Sequence, residues 1–529
     1  MTGPTTLALV LHAHLPYIRH PGQTRAPEEQ RLFDAISDIY LPLLGVFERL
    51  EADKVPFRLA MSFSPSLCEM LNDDLLRKRY LEHLDRLIEL GAHENERTSA
   101  NPALHRLACL YYDRVVDDRL RYVERYDMDL IKAFDFFHKK GRLELLTTAA
   151  THAFLPFYSA YPEAIQAQIE TALACHRSFF GKNPSGFWLP ELGWFPGLDE
   201  YLRGYNFAYT IVETHALIFG TPVPRAGTWA PVRTPNGLVV FARDLHATRQ
   251  VEDPESGFPS HPLYRDRTRD IGYDLPYEDL RAFMDPDGPR FPTGFKYWAS
   301  GEPGEVKQAY DPDLAEILVE DHADAFMDQR VDLGSRAMAL SGSPGLSVCA
   351  FDAELFGHHW FEGPAFMEAL FRRGARRRDI RFAAPGDCLD PSGDLQEVVP
   401  QFSSWGSNGY AETWLDSSND WTYRHLLRSV VRMSELAERF PDDGGLKERA
   451  LNQAARELLL AQSSDWALIM NRRTAPDYAR LRVEEGIMNF TSIYESLGGN
   501  YISTEWLTNL ERSHKLFPAI NYRIFRKKR

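Results

Sequence analysis

Cysteine is scarce in this chain. Cys68, Cys109, Cys175, Cys349 and Cys388 are scattered over 529 residues without a CxxC pair. That spacing argues against a zinc ribbon or a disulfide frame and for a reducing compartment, so a cytoplasmic location is expected. Long apolar runs are missing as well. Nothing approaches the roughly 18 residues of a membrane-spanning helix, so no membrane partner is expected. The N-terminus lacks a basic start, and its apolar run, Leu7 to Leu11, stops at a histidine, so no secretory leader is expected either. Positive charge is not in excess: 60 Lys and Arg face 75 Asp and Glu, a net charge of -15. Phosphate binding needs a basic surface, which argues against a nucleic-acid partner. Two local basic runs stand out, "RRGARRRD" at 372–379 and "RIFRKKR" at 523–529. The first reads as a solvated helix face or a partner of nearby carboxylates, the second as a solvated tail. Internal repeats and low-complexity segments are absent too.

A hydrophobic content of 44% and a charged content of 26% suit a globular enzyme of barrel size with an appendage. The first two-thirds alternates short apolar runs, such as "FRLAMSFSP", "FAYTIVET" and "GLSVCAFDAELFG", with helical stretches at 27–52 and 162–180. That alternation implies an α/β fold with a parallel sheet or barrel. Residues 220–292 are rich in turn formers and read as a lid or an inserted subdomain. From about 420 onward the pattern is helical. The expected organisation is a catalytic barrel in two parts, 1–194 and 275–398, interrupted by an inserted subdomain and cleft loop at 195–274. An all-helical C-terminal domain follows at 399–529.

Polar residues recur where the apolar runs end. In "LALVLHAHLPY", period-two alternation puts His12 and His14 on one strand face, and Pro16 ends the ladder. Strand ends are where barrel enzymes build their sites. "GFWLPELGW" places Glu191 between Trp188 and Trp194, a poorly solvated position of the kind that sets a catalytic pKa. "CAFDAELFGHHW" ends a strand with Asp352 and Glu354 on one face, followed by His358 and His359. One acid here and Glu191 would supply the two carboxylates of glycoside chemistry. His152 ends "LLTTAATH", and Trp298, Trp405, Trp414, Trp421 and Asp465 sit in other polar segments. Such tryptophans suggest a long aromatic-lined groove for an oligosaccharide or polysaccharide.

Taken in order, "HAHLPY", "WLPELGW", "FDAELFGHHWFEGP" and "SSDWALIM…YARLR" resemble glycoside hydrolase family 57, and within it the 1,4-α-glucan branching enzymes. The resemblance runs over nearly the whole chain. It implies a distorted (β/α)7 barrel with an inserted small subdomain, an all-helical C-terminal domain and no metal cofactor. It also implies Glu191 as nucleophile and Asp352 as general acid/base. His12, His14 and His152 would bind the sugar at the cleavage point, with Trp298, Trp405, Trp414 and Asp465 lining donor and acceptor sites. The implied partner is an α-glucan that acts as both donor and acceptor. The implied reaction cleaves an α-1,4 linkage and re-attaches the chain as an α-1,6 branch by double displacement.

Two departures bear on transfer against hydrolysis. "QVEDPESGFPSHP" has Glu252 and Phe258 where related branching enzymes would carry tryptophan and tyrosine in a loop over the cleft. "GHHW" has His359 where an aromatic wall is expected. A lost loop hydroxyl would favour water, which makes an α-1,4-glucan hydrolase the alternative on the same scaffold. A strand-end HxH with His152, His215 and Asp352 also resembles the donor pattern of a metal-dependent amidohydrolase or deacetylase. A glucan-binding protein without catalysis is the remaining reading.

Overall fold

The computed structural model describes the chain except residues 1–2, 24, 285–289, 303, 305, 343–344, 390–394, 407, 500 and 529. Its strands are β1 (Thr5–Ala13), β2 (Leu59–Phe63), β3 (Leu143–Leu146), β4 (Gly186–Phe187), β5 (Tyr209–Val212), β6 (Val232–Arg233), β7 (Val239–Ala242), β8 (Leu346–Asp352) and β9 (Ile380–Ala383).

β1 is buried at every position, as a strand covered on both faces must be. Parallel β8 runs along it from Thr6↔Leu346 to His12↔Asp352, and parallel β2 pairs with its upper half from Val10↔Ala60 to Ala13↔Phe63. β3 lies beyond β2, and β4, β5 and β7 form a second parallel run. Two single parallel bridges join the runs, Thr147↔Phe187 after β3 and Arg243↔Val348 after β7. The ring therefore closes on seven parallel strands, β1, β2, β3, β4, β5, β7 and β8. Its distortion has two sources. Those joints are only one bridge wide, and β9 takes the lower half of β1, Thr5 to Ala8, where β2 would otherwise pair. This is the distorted (β/α)7 barrel of the sequence reading. β6 is an antiparallel addition to β7.

Strand alternation sorts the side chains. Leu7, Leu9 and Leu11 face the helix layer, whereas Ala8 and Val10 pack inside the ring with Ala60, Ile211, Phe241, Val348 and Ala350. His12 continues the Ala8–Val10 line, and Asp352 continues the Val348–Ala350 line. Both reach the top of the interior by the period of two alone.

The expected insert at 195–274 is different in kind. It contains β5 and β7, so the barrel runs through it. These strands were masked by the turn formers around them. The irregular excursion lies instead between the helices Leu245–Glu252 and Pro312–Ser341. It is ordered by buried carboxylates: Asp270 accepts from the amides of Gly272, Thr293 and Gly294 and from the Thr293 hydroxyl. Part of "FMDPDGPRFP" in this stretch, residues 285–289, lies outside the described residues.

Beyond the barrel come the helices Trp421–Arg439, Gly445–Ala461, Ser464–Arg472, Pro476–Gly498 and Thr504–Ser513. The basic run at 372–379 is a partner of carboxylates: Arg372 pairs with Asp53 and Glu368, and Arg377 with Asp328 and Asp379. The C-terminal run is not a free tail. Tyr522 is fully buried, and Arg523 binds Glu448 and the carbonyls of Pro441 and Asp443. Among the described residues no helix is long and apolar enough to cross a membrane.

Candidate active site

A cavity of about 420 Å3 opens at the C-terminal ends of the barrel strands. His12, His14, His152, Glu191, Asp352, Trp405, Trp414 and Asp465 all line it. Trp298 is not among the lining residues. It lies in the irregular excursion, half-buried, bridged to Ala309 and accepting the Asp266 amide at its carbonyl.

Glu191 follows β4 on a short turn and has φ 56°, ψ 23°, left-handed backbone that a non-glycine residue adopts only when its surroundings impose it. The Trp405 amide donates to its carbonyl at 2.7 Å. His152, after β3, is left-handed too, at φ 58°. Its carbonyl accepts the Ser464 amide at 3.1 Å. Barrel loops and the segments that follow the barrel thus hold each other at the two strained positions.

The polar contacts form a directed chain. Ser464 Oγ donates to Glu191 Oε1 at 2.8 Å. Having given its only proton there, Ser464 accepts from His152 Nδ1 at 3.0 Å. His152 Nε2 is then unprotonated and accepts from His12 Nε2, also at 3.0 Å. We assign these tautomers from the chain itself. Both imidazoles are neutral in this assignment. Burial pushes His12 well below the usual imidazole range, with His152 and His14 adding to it; burial and then His14 do the same to His152. On the far side, His14 Nε2 meets Asp465 Oδ2 at 2.9 Å, and Ser463 also donates to that oxygen.

The rings pair off. Trp188 stacks on His12 at 4.6 Å and His152 on His14 at 4.0 Å, whereas His12 and His152, 5.0 Å apart, meet edge to edge through the Nε2–Nε2 hydrogen bond. His14, His152 and Asp465 bring ligand atoms within 4.8 Å of one another, a donor set that could hold a metal ion. An imidazole, however, binds a metal through a lone pair in its own ring plane. Two rings stacked 4.0 Å apart and 17° from parallel cannot both aim at one ion unless one of them rotates out of the stack.

Both carboxyls are pushed up. Burial raises Glu191 to about 7, Asp465 adds to the rise, and Ser464 and His14 oppose it. Burial, and then Glu252, Glu354 and Glu191, raise Asp352 well above its ordinary value, with Arg243 opposing. Two buried carboxyls of raised proton affinity on one cavity are the groups an acid paired with a base or nucleophile requires. Glu354 behaves in the opposite sense. Burial would raise it, but the His359 hydrogen bond and the Arg31 charge hold it at about 2.

Some sequence expectations are corrected. Trp188, Trp194, Trp360, Trp414 and Trp466 are buried, so half of the ten tryptophans build core and only Trp405 and Trp414 reach this cavity. Indole area is worth more inside than along a groove. Neither loop departure lines the cavity, although the Glu252 charge bears on Asp352. Phe258 stacks on His322 at 4.3 Å and packs near Trp360 and Phe366, and Glu252 approaches Arg243 at 3.4 Å. His359 does line the cavity, 3.6 Å from Glu354. Sequence reasoning missed Ser464, Arg31, Thr413, Asn471 and Arg472. Ser464 adjoins Asp465 in "QSSDW" and could have been flagged, but Arg31 sits in a helix with no local signal.

Residues 8–252 match the family described as glycosyl hydrolase family 57, and residues 425–525 match "1,4-alpha-glucan branching enzyme, C-terminal". A 1,4-alpha-glucan branching enzyme of Thermococcus kodakarensis is 31% identical over 519 residues, covering 90% of this chain and 71% of that one. The crystal structure of the alpha-amylase AmyC from Thermotoga maritima superposes with a TM-score of 0.93 at 38% identity, covering 99% of this chain and 100% of that one. A GH57-type branching enzyme from Pyrococcus horikoshii gives a TM-score of 0.88 at 27% identity over 99% and 97%. With its seven-stranded ring, its strand-end carboxyls and these relatives, the chain belongs to glycosyl hydrolase family 57.

Proposed function

We propose that this protein is a retaining 1,4-α-glucan branching enzyme. The observation that carries the reading is the pair of buried carboxyls, Glu191 and Asp352, facing one cavity, both with raised proton affinity. Ionised Glu191 attacks the anomeric carbon while protonated Asp352 gives its proton to the departing glucan oxygen, leaving a covalent glycosyl-enzyme. Asp352, now a carboxylate, takes the proton of an incoming 6-hydroxyl as that oxygen displaces Glu191 and forms an α-1,6 branch. The histidines form a hydrogen-bonding wall for the sugar in this reading, with His14 braced by Asp465 and His152 by Ser464. Trp405 and Trp414 offer ring surface beside it. The match over 425–525 to the branching-enzyme C-terminal region supports transfer as the activity.

A specific observation favours a second reading, α-1,4-glucan hydrolysis. AmyC is an α-amylase, and Phe258, half-buried, packs on His322 instead of lining the cavity. One experiment separates the two: a proton NMR time course with linear amylose, integrating α-1,6 anomeric signals against new reducing ends. Branch signals rising with few reducing ends would support the branching enzyme. Reducing ends without branches would overturn it in favour of the hydrolase. A metal-dependent amidohydrolase or deacetylase would need His14 or His152 to leave the stack.

A further inference from the structure

A second, larger cavity lies away from the carboxyls. About 1340 Å3 lies between the helices Pro162–Phe180, Leu198–Gly204 and Trp421–Arg439 and the C-terminal tail. The first two of these helices follow, in the chain, the loops that carry His152 and Glu191.

Its lining holds polar groups that the fold leaves unused. Among the described residues, no hydrogen bond reaches the hydroxyl of Tyr161 or Tyr201, and no other ring or cation covers either face. Tyr205, in the same wall, shows what a partnered tyrosine looks like here. Lys528 lies 4.2 Å over its ring, and its hydroxyl donates to Glu170 at 2.8 Å. Glu163, Glu200 and Glu435 also line the cavity, and among the described residues none has a cation within ion-pair distance. Partial burial, then Glu200 and Glu163, raise the Tyr201 hydroxyl, so these two carboxylates bear on that ring.

Half-buried phenol rings with unbonded hydroxyls, beside carboxylates without a cation partner, suit a neutral polyol. The ring faces take the C–H faces of sugars, and each carboxylate can accept several hydroxyl protons. Lys527, Lys528 and Arg439 share the rim, so the cavity does not select for a cation. Its volume exceeds the roughly 300–1,000 Å3 of an ordinary small-molecule site. The catalytic cavity, about 420 Å3, is far too small for a polymer, which must continue over other surface.

We infer that this groove is a second α-glucan-binding site, which holds a stretch of the polymer away from the bond being cut. The inference rests on the α-glucan reading above. Its test is affinity electrophoresis of the full chain in gels containing soluble glycogen, with turnover of a short maltodextrin measured in parallel. Tyr201→Ala combined with Tyr161→Ala is expected to weaken glycogen binding about 5-fold, the size given by losing one or two stacking contacts. Short-substrate turnover should stay unchanged. Tyr201→Phe, which keeps the ring, should retain most of the binding, and Glu435→Gln, on an exposed helix position, tests the acceptors without risk to the fold.

Unchanged retardation in the alanine double variant and in Glu435→Gln would overturn the proposal. A native protein that turns over maltodextrin but is not retarded by glycogen would overturn the groove and leave the activity standing. No turnover and no retardation would overturn both.

Discussion

Ser464 Oγ donates a 2.8 Å hydrogen bond to Glu191 Oε1, although 273 residues separate the two. The hydroxyl comes from the helical C-terminal region and the carboxyl from a barrel loop. Breaking this contact acts on the carboxyl directly. In Ser464→Ala, Glu191 loses a bond that favours its ionised form, so its pKa rises further and the acidic limb of the pH–rate profile moves up. A hydrogen bond to a charged group is worth about 1.5–3 kcal/mol, so kcat/KM should fall roughly 10- to 100-fold. An unmoved acidic limb would show that the contact is structural only.

Asp465→Asn should move the same limb the other way. Asp465 is the largest charge raising Glu191, so removing it lowers the Glu191 pKa and shifts the limb down, even as activity falls. Asp465 itself is pulled down: burial would raise it, but the His14 charge and hydrogen bond outweigh that. Its contribution to stability is therefore present above the usual carboxylate range and lost as pH falls through its depressed folded value. Opposite shifts for Ser464→Ala and Asp465→Asn, read from kcat/KM against pH, are the expected pair.

The native profile has its own sign. In the proposed mechanism Glu191 is ionised to attack and Asp352 is protonated to release the leaving group. With Glu191 at about 7, kcat/KM should drop as pH falls through about 7, and the basic limb, where Asp352 loses its proton, should lie above the ordinary carboxylate range. Glu191→Gln and Asp352→Asn should each abolish turnover. An acidic limb near the ordinary carboxylate range would contradict the assignment of Glu191.

The same burial costs stability. A carboxyl raised from 4.5 to about 7 is held less comfortably when charged in the folded state than in the unfolded chain. The cost is absent below 4.5, grows as pH rises towards 7, and is complete above it. At 1.36 kcal/mol per unit it amounts to roughly 3 kcal/mol. Thermal unfolding of Glu191→Gln at pH 8 should therefore show a higher Tm than the native protein, and little difference at pH 4. A lower Tm at pH 8 would mean that the Ser464 bond and packing outweigh the buried charge.

Gly357→Ala should be among the most damaging single-methyl changes. Gly357 has φ 124°, and a Cβ there would lie 1.8 Å from the Asp38 carbonyl oxygen. The chain must turn at this point to bring His358 Nδ1 to Asp38 Oδ2 at 3.1 Å and His359 to the cavity. Clash and backbone strain together should lower stability by about 3 kcal/mol or more, read by denaturant unfolding.

Dialysis against a chelator is expected to leave activity unchanged, since the stacked His14 and His152 rings cannot both present in-plane lone pairs to one ion. Activity lost on dialysis and restored by zinc would instead favour the amidohydrolase reading.

Local order in the sequence was enough for the barrel and for the strand-end residues. Period-two alternation alone carries His12 up from Ala8 and Val10, and Asp352 up from Val348 and Ala350, because a strand offers only two faces. A carboxyl between tryptophans in "WLPELGW" declared a poorly solvated site before any neighbour was known. The tertiary structure decided what those residues touch. Ser464 reaches Glu191 from a helix 273 residues away, and Arg31 reaches the cavity from a helix in which nothing local marks it. Trp194 and Trp360 look from their polar surroundings like groove residues, yet they are core, because burial depends on what packs from elsewhere. Phe258 turns to His322 for the same reason. A sequence states the period and chemistry of each segment, whereas burial, proton affinity and hydrogen-bond direction belong to pairs of segments that only folding brings together.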